Sequence, residues 1–392
     1  MRKILILELI ILIFFVACSR KNLTTGKLKS ITDPPISKKI GKPDSTYQIV
    51  MKEKGINTIN IQYLGCGGLL IEKNQEKVLI DPFFSNQGLV RVGLSSVSKY
   101  LKDIDCDLCD DANSKTKRHK GRCIKPNVDL VNKYIVSGIV NVTGVKSILV
   151  THAHYDHLLD LPHIYNTFLK KKADTIKILA SESTYKLTKK LIDSTRFIPI
   201  EDNLTTYQKM GMVENLNDNG TIKVWPVLSD HAPHFESIKL FDGEVCNTIK
   251  DPIEYYEGTH AHWWREGKTI DYLLEFINKD IKDTFRIFIQ SSASCPKYGF
   301  LPDDYNKRID LAVLGIASYQ YACDYPDTCI KRLNPSQILM VHWEDFFLRY
   351  DRKKGPKTVR GTDVKKFLLE YKTKGNKPLH MVEPLTNITI KY

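Results

Sequence analysis

Apolar and polar positions are distributed unevenly along this chain. Ile4–Val16 is apolar apart from Glu8 and follows the basic start Met1-Arg2-Lys3. The run is too short to span a bilayer comfortably. With Ala17-Cys18-Ser19 behind it, it has the parts of a secretory signal: basic start, apolar stretch and small residues at the cut. Residues 19–50 are rich in Lys, Ser, Thr and Pro and poor in aromatics, which predicts a flexible tether. The rest of the chain, residues 51–392, is long enough to bury a large core as one domain. Within it, Ser147-Ile148-Leu149-Val150 reads as a buried strand, and Leu158–Leu169 as an amphipathic helix. Val224–Leu228 and Tyr272–Ile277 read as further strands.

Between the first strand and the helix lies Thr151-His152-Ala153-His154-Tyr155-Asp156-His157. In extended backbone His152 and His154 point to one side, because side chains alternate. A turn into helix then swings Asp156 and His157 into the same space. Imidazole and carboxylate are ligands that zinc accepts. The segment can therefore offer two ligands to one metal and two to a neighbour.

These residues resemble the metallo-β-lactamase-fold hydrolases, whose signature is His-x-His-x-Asp-His. The similarity runs over roughly residues 55 to 350. Ile59–Glu72 resembles the family's opening hairpin, and Asp81-Pro82-Phe83-Phe84-Ser85 its Asp-Pro turn. Thr221–His231, Phe285–Gln290, Asp310–Gly315 and Ile338–Trp343 resemble later core strands. The Asp-Pro-Phe-Phe-Ser turn and the closing His342-Trp343 look most like the branch of the N-acyl phosphatidylethanolamine phospholipase D and lactonase-like proteins. The resemblance implies an α/β fold, a four-layer αββα sandwich, with insertions near 102–125 and 235–268. It implies a first metal on His152, His154 and a third histidine. His231 is the best candidate for that third ligand, with His234 and His262 competing. A second metal would sit on Asp156, His157 and His342. The cofactor would be Zn2+, one or two ions. A bound zinc lowers the pKa of its water to about 7, and Asp156 would orient that water as the catalytic carboxylate.

One departure stands out. The family bridges its metals with an aspartate after the strand matching Phe285–Gln290, and here Ser292 falls in that place. A hydroxyl carries no charge between two dications. The site would then hold two metals bridged only by hydroxide, or one metal, or recruit another carboxylate such as Asp230. The cluster His260, His262, Trp263, Trp264 and Arg265 lies in the second insertion. It reads either as an anion site beside an acyl pocket or as a surface helix end with packed tryptophans.

Charge and cysteine usage extend this reading. Lys and Arg number 58 against 45 Asp and Glu, a net charge of +13. Such a surface attracts anionic headgroups or phosphorylated substrates, or serves solubility alone. No basic–aromatic motif points to nucleic acid, so none is expected as a partner. Phe15-Val16-Ala17-Cys18 resembles a bacterial lipobox, which implies a lipid on Cys18 and an envelope location outside the cytoplasm. Eight of the nine cysteines then remain, an even number suited to disulfides. Cys106, Cys109, His119 and Cys123 have zinc-site spacing, although an oxidising compartment favours disulfides there. Cys323 and Cys329 are near enough to pair, and Cys66 reads as a free core thiol. Two functions of different class follow. One is an envelope-anchored hydrolase using a metal-bound hydroxide on an ester, phosphodiester or lactone, with a small-molecule or lipid substrate. The other is a catalytically degenerate binding or scaffold lipoprotein, which Ser292 favours.

Overall fold

The computed structural model describes residues 46–51, 57–97, 123–172, 176–200, 204, 210–211, 214–245, 247–352, 354–374 and 376–392. The signal segment, Cys18, most of the tether and most of the first insertion lie outside the described residues. Thr46–Val50, at the end of the segment expected to be a tether, is a strand, β1, and its Ile49 is buried. It pairs in parallel with the last strand, so its backbone groups are satisfied by the sheet rather than by water.

Two mixed sheets form the frame. The first contains β1, β2 (Thr58–Gly65), β3 (Gly68–Lys73), β4 (Glu76–Ile80), β5 (Val145–Leu149), β6 (Lys177–Ala180) and β7 (Phe197–Pro199). The second contains β8 (Glu214–Asn215), β9 (Ile222–Leu228), β10 (Ile270–Asn278), β11 (Asp283–Gln290), β12 (Leu311–Gly315), β13 (Gln337–Val341) and β14 (Leu379–Met381). The final strand, β15 (Asn387–Lys391), returns to the first sheet between β1 and β2. Each sheet is antiparallel over a hairpin region and parallel beyond it. The parallel runs are β4-β5-β6-β7 and β11-β12-β13-β14.

Burial explains the layering. In the first sheet alternate residues face opposite ways. Val78, Ile80, Leu149 and Leu179 join the core shared with the second sheet. Leu79, Ile148, Val150, Ile178 and Ala180 face a separate core. That outer core is roofed by α2 (Val128–Val136) and neighbouring helices, after α1 (Leu89–Val97). The next helices are α3 (Tyr155–Leu158), α4 (Leu161–Ile164), α5 (Glu182–Thr188) and α6 (Pro252–Glu257). On the other side α7 (Asp327–Leu333) and α8 (Val364–Lys374) pack on the second sheet. The result is the expected four-layer αββα arrangement.

Two local expectations are corrected. The helix predicted over Leu158–Leu169 is broken: α3 and α4 are single turns, followed by a widened helical turn over Tyr165–Leu169. Pro162 cannot donate a helical hydrogen bond, and Leu158 to Tyr165 are all buried, so the segment is a packed plug rather than a surface helix. Cys323 does not pair with Cys329. Cys329 is buried and donates to Gln290 Oε1 at 3.4 Å, whereas Cys323 Sγ lies 2.8 Å from Cys295 Sγ. Cys123 forms a disulfide whose partner lies outside the described residues.

The sheets are also tied by a polar contact. Tyr272 of β10 is fully buried, and its hydroxyl donates to Val150 O at 2.8 Å and Leu179 O at 3.2 Å. Tyr272→Phe strands the Val150 carbonyl in a dry core and should cost about 1–3 kcal/mol. Urea denaturation measures it; an unchanged midpoint would show that this contact does not hold the sheets.

Candidate metal centre

The candidate site lies where strands of both sheets end. In open α/β sheets, loops at the carboxyl ends of parallel strands converge on one crevice. Here β4 runs into Asp81 and β5 into His152 and His154, while β13 of the second sheet runs into His342. From the second sheet, β9 leads to His231 and β11 to Ser292.

Two donor clusters form side by side. His152, His154 and His231 make one, and Cys66, Asp156, His157 and His342 make the other. Within each cluster the ligand atoms all lie within 4.8 Å of one another. The first three rings meet edge to face, with centroids 4.7, 5.0 and 4.8 Å apart. His152 and His157, one from each cluster, are 4.0 Å apart. The Nε2 atoms of His152, His154 and His157 are buried and have no hydrogen-bond partner among the described residues. Buried polar atoms are normally satisfied, and exceptions need a reason. Three orphan nitrogens converging beside a carboxylate and a thiol fit a bound cation, since imidazole and thiolate are zinc donors.

The opposite ring atoms are held from behind. Asp81 Oδ2 accepts from His157 Nδ1 at 2.9 Å, while Asp81 Oδ1 accepts the Thr151 N–H at 2.8 Å. Thr151 Oγ1 donates to Asp81 Oδ2 at 2.5 Å and touches His152 Nδ1 at 3.1 Å. His231 Nδ1 faces Ala232 O at 2.6 Å. Carboxylates or carbonyls on the far nitrogen are what orient metal-ligating imidazoles. A second buried carboxylate, Asp160, accepts from the N–H groups of Phe84 and Ser85 and from Ser85 Oγ. It pins the turn after Asp81 to the segment that follows His157.

Electrostatics divide the two clusters. Burial and neighbouring imidazoles hold His152 and His231 well below the ordinary histidine range, and His154 falls to about 3. These rings are neutral, the form that binds metals. In the second cluster burial opposes charge on Asp156, yet His157, His342 and His154 keep its carboxyl well below the usual range. Burial likewise opposes protonation of His157, but Asp81 and Asp156 more than offset it and raise its pKa. That cluster is built to hold positive charge.

The competitors for the third ligand sit elsewhere. His234 stacks on His231 at 4.7 Å but belongs to neither cluster. Leu240 N–H donates to His234 Nδ1 at 3.1 Å, which leaves the neutral ring's proton on Nε2. His262 lines the cavity beyond them. Asp230 does not replace the missing bridge, because it ion-pairs with Lys239 and caps the N–H of His231. Ser292 Oγ accepts from Ala232 N–H at 3.2 Å and donates to Ala293 O at 3.4 Å, so it braces the loop that carries His231.

Sequence reading missed Cys66. It sits in the tight turn Gly65-Cys66-Gly67-Gly68, and it is a non-glycine residue with φ of 49°. The turn is squeezed: a Cβ on Gly67 would lie 3.2 Å from Ser291 Cβ and 3.4 Å from His157 Cε1. The signal was present as glycines on both sides of the cysteine, which mark a close backbone approach.

The clusters floor a cavity of about 320 Å³. Its walls are largely apolar, with Leu89, Val92, Phe241, Phe346 and Phe347, and Arg265 lies at its side. Arg265 is half-buried, and among the described residues no carboxylate pairs with it. The second insertion reaches the ligands directly, since Ala153 N–H donates to Glu266 O at 3.0 Å.

No protein-family model matches this sequence, and no curated protein matches it. Solved structures do. One is Igni18, a metallo hydrolase from the hyperthermophilic archaeon Ignicoccus hospitalis KIN4/I, at 13% identity and TM-score 0.44, covering 86% of this chain and 100% of that one. Another is the metallo-beta-lactamase fold protein YhfI from Bacillus subtilis, at 10% identity and TM-score 0.43, covering 84% and 98%. A third is CmlA, a diiron β-hydroxylase from Streptomyces venezuelae, at 10% identity and TM-score 0.40, covering 86% of this chain and 54% of that one. At this distance the likeness says nothing of chemistry, which rests on the side chains.

Proposed function

We propose that this chain is a metal-dependent hydrolase that cleaves an ester, phosphodiester or lactone joining an anionic group to an apolar one. The observation that carries the reading is the pair of donor clusters, with three orphaned Nε2 atoms, at the floor of a largely apolar cavity. His152, His154 and His231 would hold one ion, and Asp156, His157 and His342 a second. Zinc fits these donors best. A bound divalent ion supplies an activated water at neutral pH and draws charge from the scissile group.

The chain's own residues do the rest. Asp156, ionised by its histidine neighbours, orients the nucleophile. His234, whose pKa burial lowers to about 4, is neutral at pH 7 with its proton on Nε2, and offers a donor to charge developing on oxygen. Arg265 holds the anionic group, and the phenylalanines exclude water from the reacting bond. The test is metal analysis with hydrolysis of matched anionic and neutral carboxylic esters, and of phosphodiesters beside the matching neutral phosphotriesters. Purified protein should bind at least one ion and prefer the anionic member. His154→Ala should lose metal and turnover together, and Arg265→Ala should lose the preference alone. Bound metal with no turnover on any substrate would favour the non-catalytic binding protein that Ser292 suggests.

Asp81 is expected to act through His157 and Thr151. Asp81→Asn keeps the shape but removes the charge behind His157, and should weaken metal affinity about 10–100-fold. A chelator competition titration reads this directly. Unchanged affinity would mean that the His157 orientation is set by packing alone.

We also propose that Cys18 carries a lipid that tethers the catalytic domain to the cell envelope, on the strength of residues 1–18. No helix among the described residues is long and apolar enough to cross a membrane. In a bacterial host the protein should fractionate with membranes, and Cys18→Ala should release it. A variant that stays membrane-bound would rule out the lipid.

A further inference from the structure

We infer that Cys66 is a ligand of the second metal, and that its thiolate supplies the negative charge that Ser292 fails to provide. The inference rests on the dinuclear reading above and adds a residue that the resemblance does not contain.

Geometry comes first. Cys66 Sγ lies 3.3 Å from Asp156 Oδ2 and 3.5 Å from His342 Nε2. His342 Nε2 and His157 Nε2 lie 3.7 and 3.8 Å from the same Asp156 oxygen. All four donor atoms lie within 4.8 Å of one another, and these four separations of 3.3–3.8 Å are those of ligands sharing an ion with bonds of about 2.0–2.3 Å. Cys66 is fully buried. A core thiol of the ordinary kind packs against apolar side chains, but this one faces a carboxylate and an imidazole.

A second observation is independent of the cysteine. His157 Nε2 is buried, has no hydrogen-bond partner among the described residues, and belongs to the same cluster. Its other nitrogen is spent on Asp81. Something must satisfy the free atom, and a cation shared with Cys66 does so.

The backbone around Cys66 is held for this purpose. Its N–H donates to Glu344 Oε1 at 2.5 Å, and Glu344 Oε2 accepts from Tyr63 Oη at 2.5 Å. The Tyr63 hydroxyl oxygen in turn accepts the N–H of His342 at 2.8 Å. One buried carboxylate and one phenol thus fix Cys66 and His342 relative to each other.

Charge completes the case. With Ser292 in the bridging place, Asp156 alone would face two dications. Before ligation the Cys66 thiol donates to Asp156 Oδ2 at 3.3 Å, so its S–H already points at the place where a cation would be shared with that carboxylate. On ligation the thiol proton leaves to solvent. A soft donor also biases the site toward zinc, cobalt or cadmium over magnesium and manganese.

Cobalt(II) substitution tests this without reference to turnover. The full-length protein loaded with cobalt should bind two ions and show a near-ultraviolet thiolate-to-cobalt charge-transfer band. Cys66→Ser should lose the band and bind one ion, with the far-ultraviolet circular dichroism unchanged. Cys66→Asp, which restores a carboxylate, should bind two ions without the band, and it serves if the serine variant fails to fold. On the zinc form, X-ray absorption should show a sulfur scatterer at about 2.3 Å beside nitrogen and oxygen at about 2.0–2.1 Å, and the sulfur should vanish in either variant. Two bound ions with a nitrogen-and-oxygen shell only, or a band that survives in Cys66→Ser, overturns the inference and leaves the dinuclear reading standing. Failure of the unaltered protein to bind cobalt or zinc overturns both.

Discussion

The Asp81 carboxylate has no exposure to solvent, and its hydrogen bonds decide what surrounds it. It accepts from the Thr151 N–H, the Thr151 hydroxyl and His157 Nδ1. Those bonds join the end of β4 to the end of β5 and set the angle at which the histidine segment leaves the sheet. Asp81 itself adopts φ of 42°, a conformation that costs of order 1–3 kcal/mol for a non-glycine residue. Such strain persists only where the surroundings over-determine it, and three bonds into a dry pocket do that. Asp160 repeats the device one turn later, through the N–H groups of Phe84 and Ser85. Two buried carboxylates therefore lock the Asp-Pro turn against the ligand segment from both sides.

The same constraint explains why the site needs two sheets. The first sheet supplies His152, His154, Asp156 and His157 from one loop, and the second supplies His231 and His342 from two others. No single strand could bring these together, because consecutive side chains on a strand face opposite ways. The spacing is held by Tyr272 and by the Ile270 N–H, which donates to Thr151 O at 2.8 Å. The latter bond lands on the residue that Asp81 holds. Sheet packing and ligand geometry are thus one network, and displacement of β10 would be felt at His152.

Much of this was legible in the sequence, for physical reasons. Near-continuous apolar runs marked β5 and β10 because both sheets are covered on both sides, which buries both faces of their strands. The metal segment was legible because four ligating side chains in six residues have few other uses. What escaped depended on contacts remote in sequence. Glu344 is 278 positions from Cys66, and no local pattern links a buried glutamate after His342-Trp343 to a turn near the start of the domain. Cys66 read as a core thiol because its neighbours in sequence are apolar; its neighbours in space are not. The helical period of Leu158–Leu169 does not give one continuous helix because Pro162 cannot donate to the preceding turn. Thr46–Val50 has a polar sequence, and its place as a strand rests on pairing with β15 from the far end of the chain.

The second insertion links substrate choice to the metal ligands. Its Glu266 carbonyl accepts the N–H of Ala153, the residue between His152 and His154. Its Arg265, the next residue back, lines the cavity, and its Trp264 is fully buried and donates to Thr259 Oγ1 at 2.8 Å. A segment anchored that firmly cannot swing aside as a free loop without pulling on the histidine pair. It follows that the cavity wall and the metal floor are geometrically coupled: the cationic group that selects a substrate is set by the same backbone that sets the first metal. Changes of specificity in this chain should come from side chains on that wall, such as Arg265, rather than from rebuilding its backbone, because the backbone is already committed to the ligands.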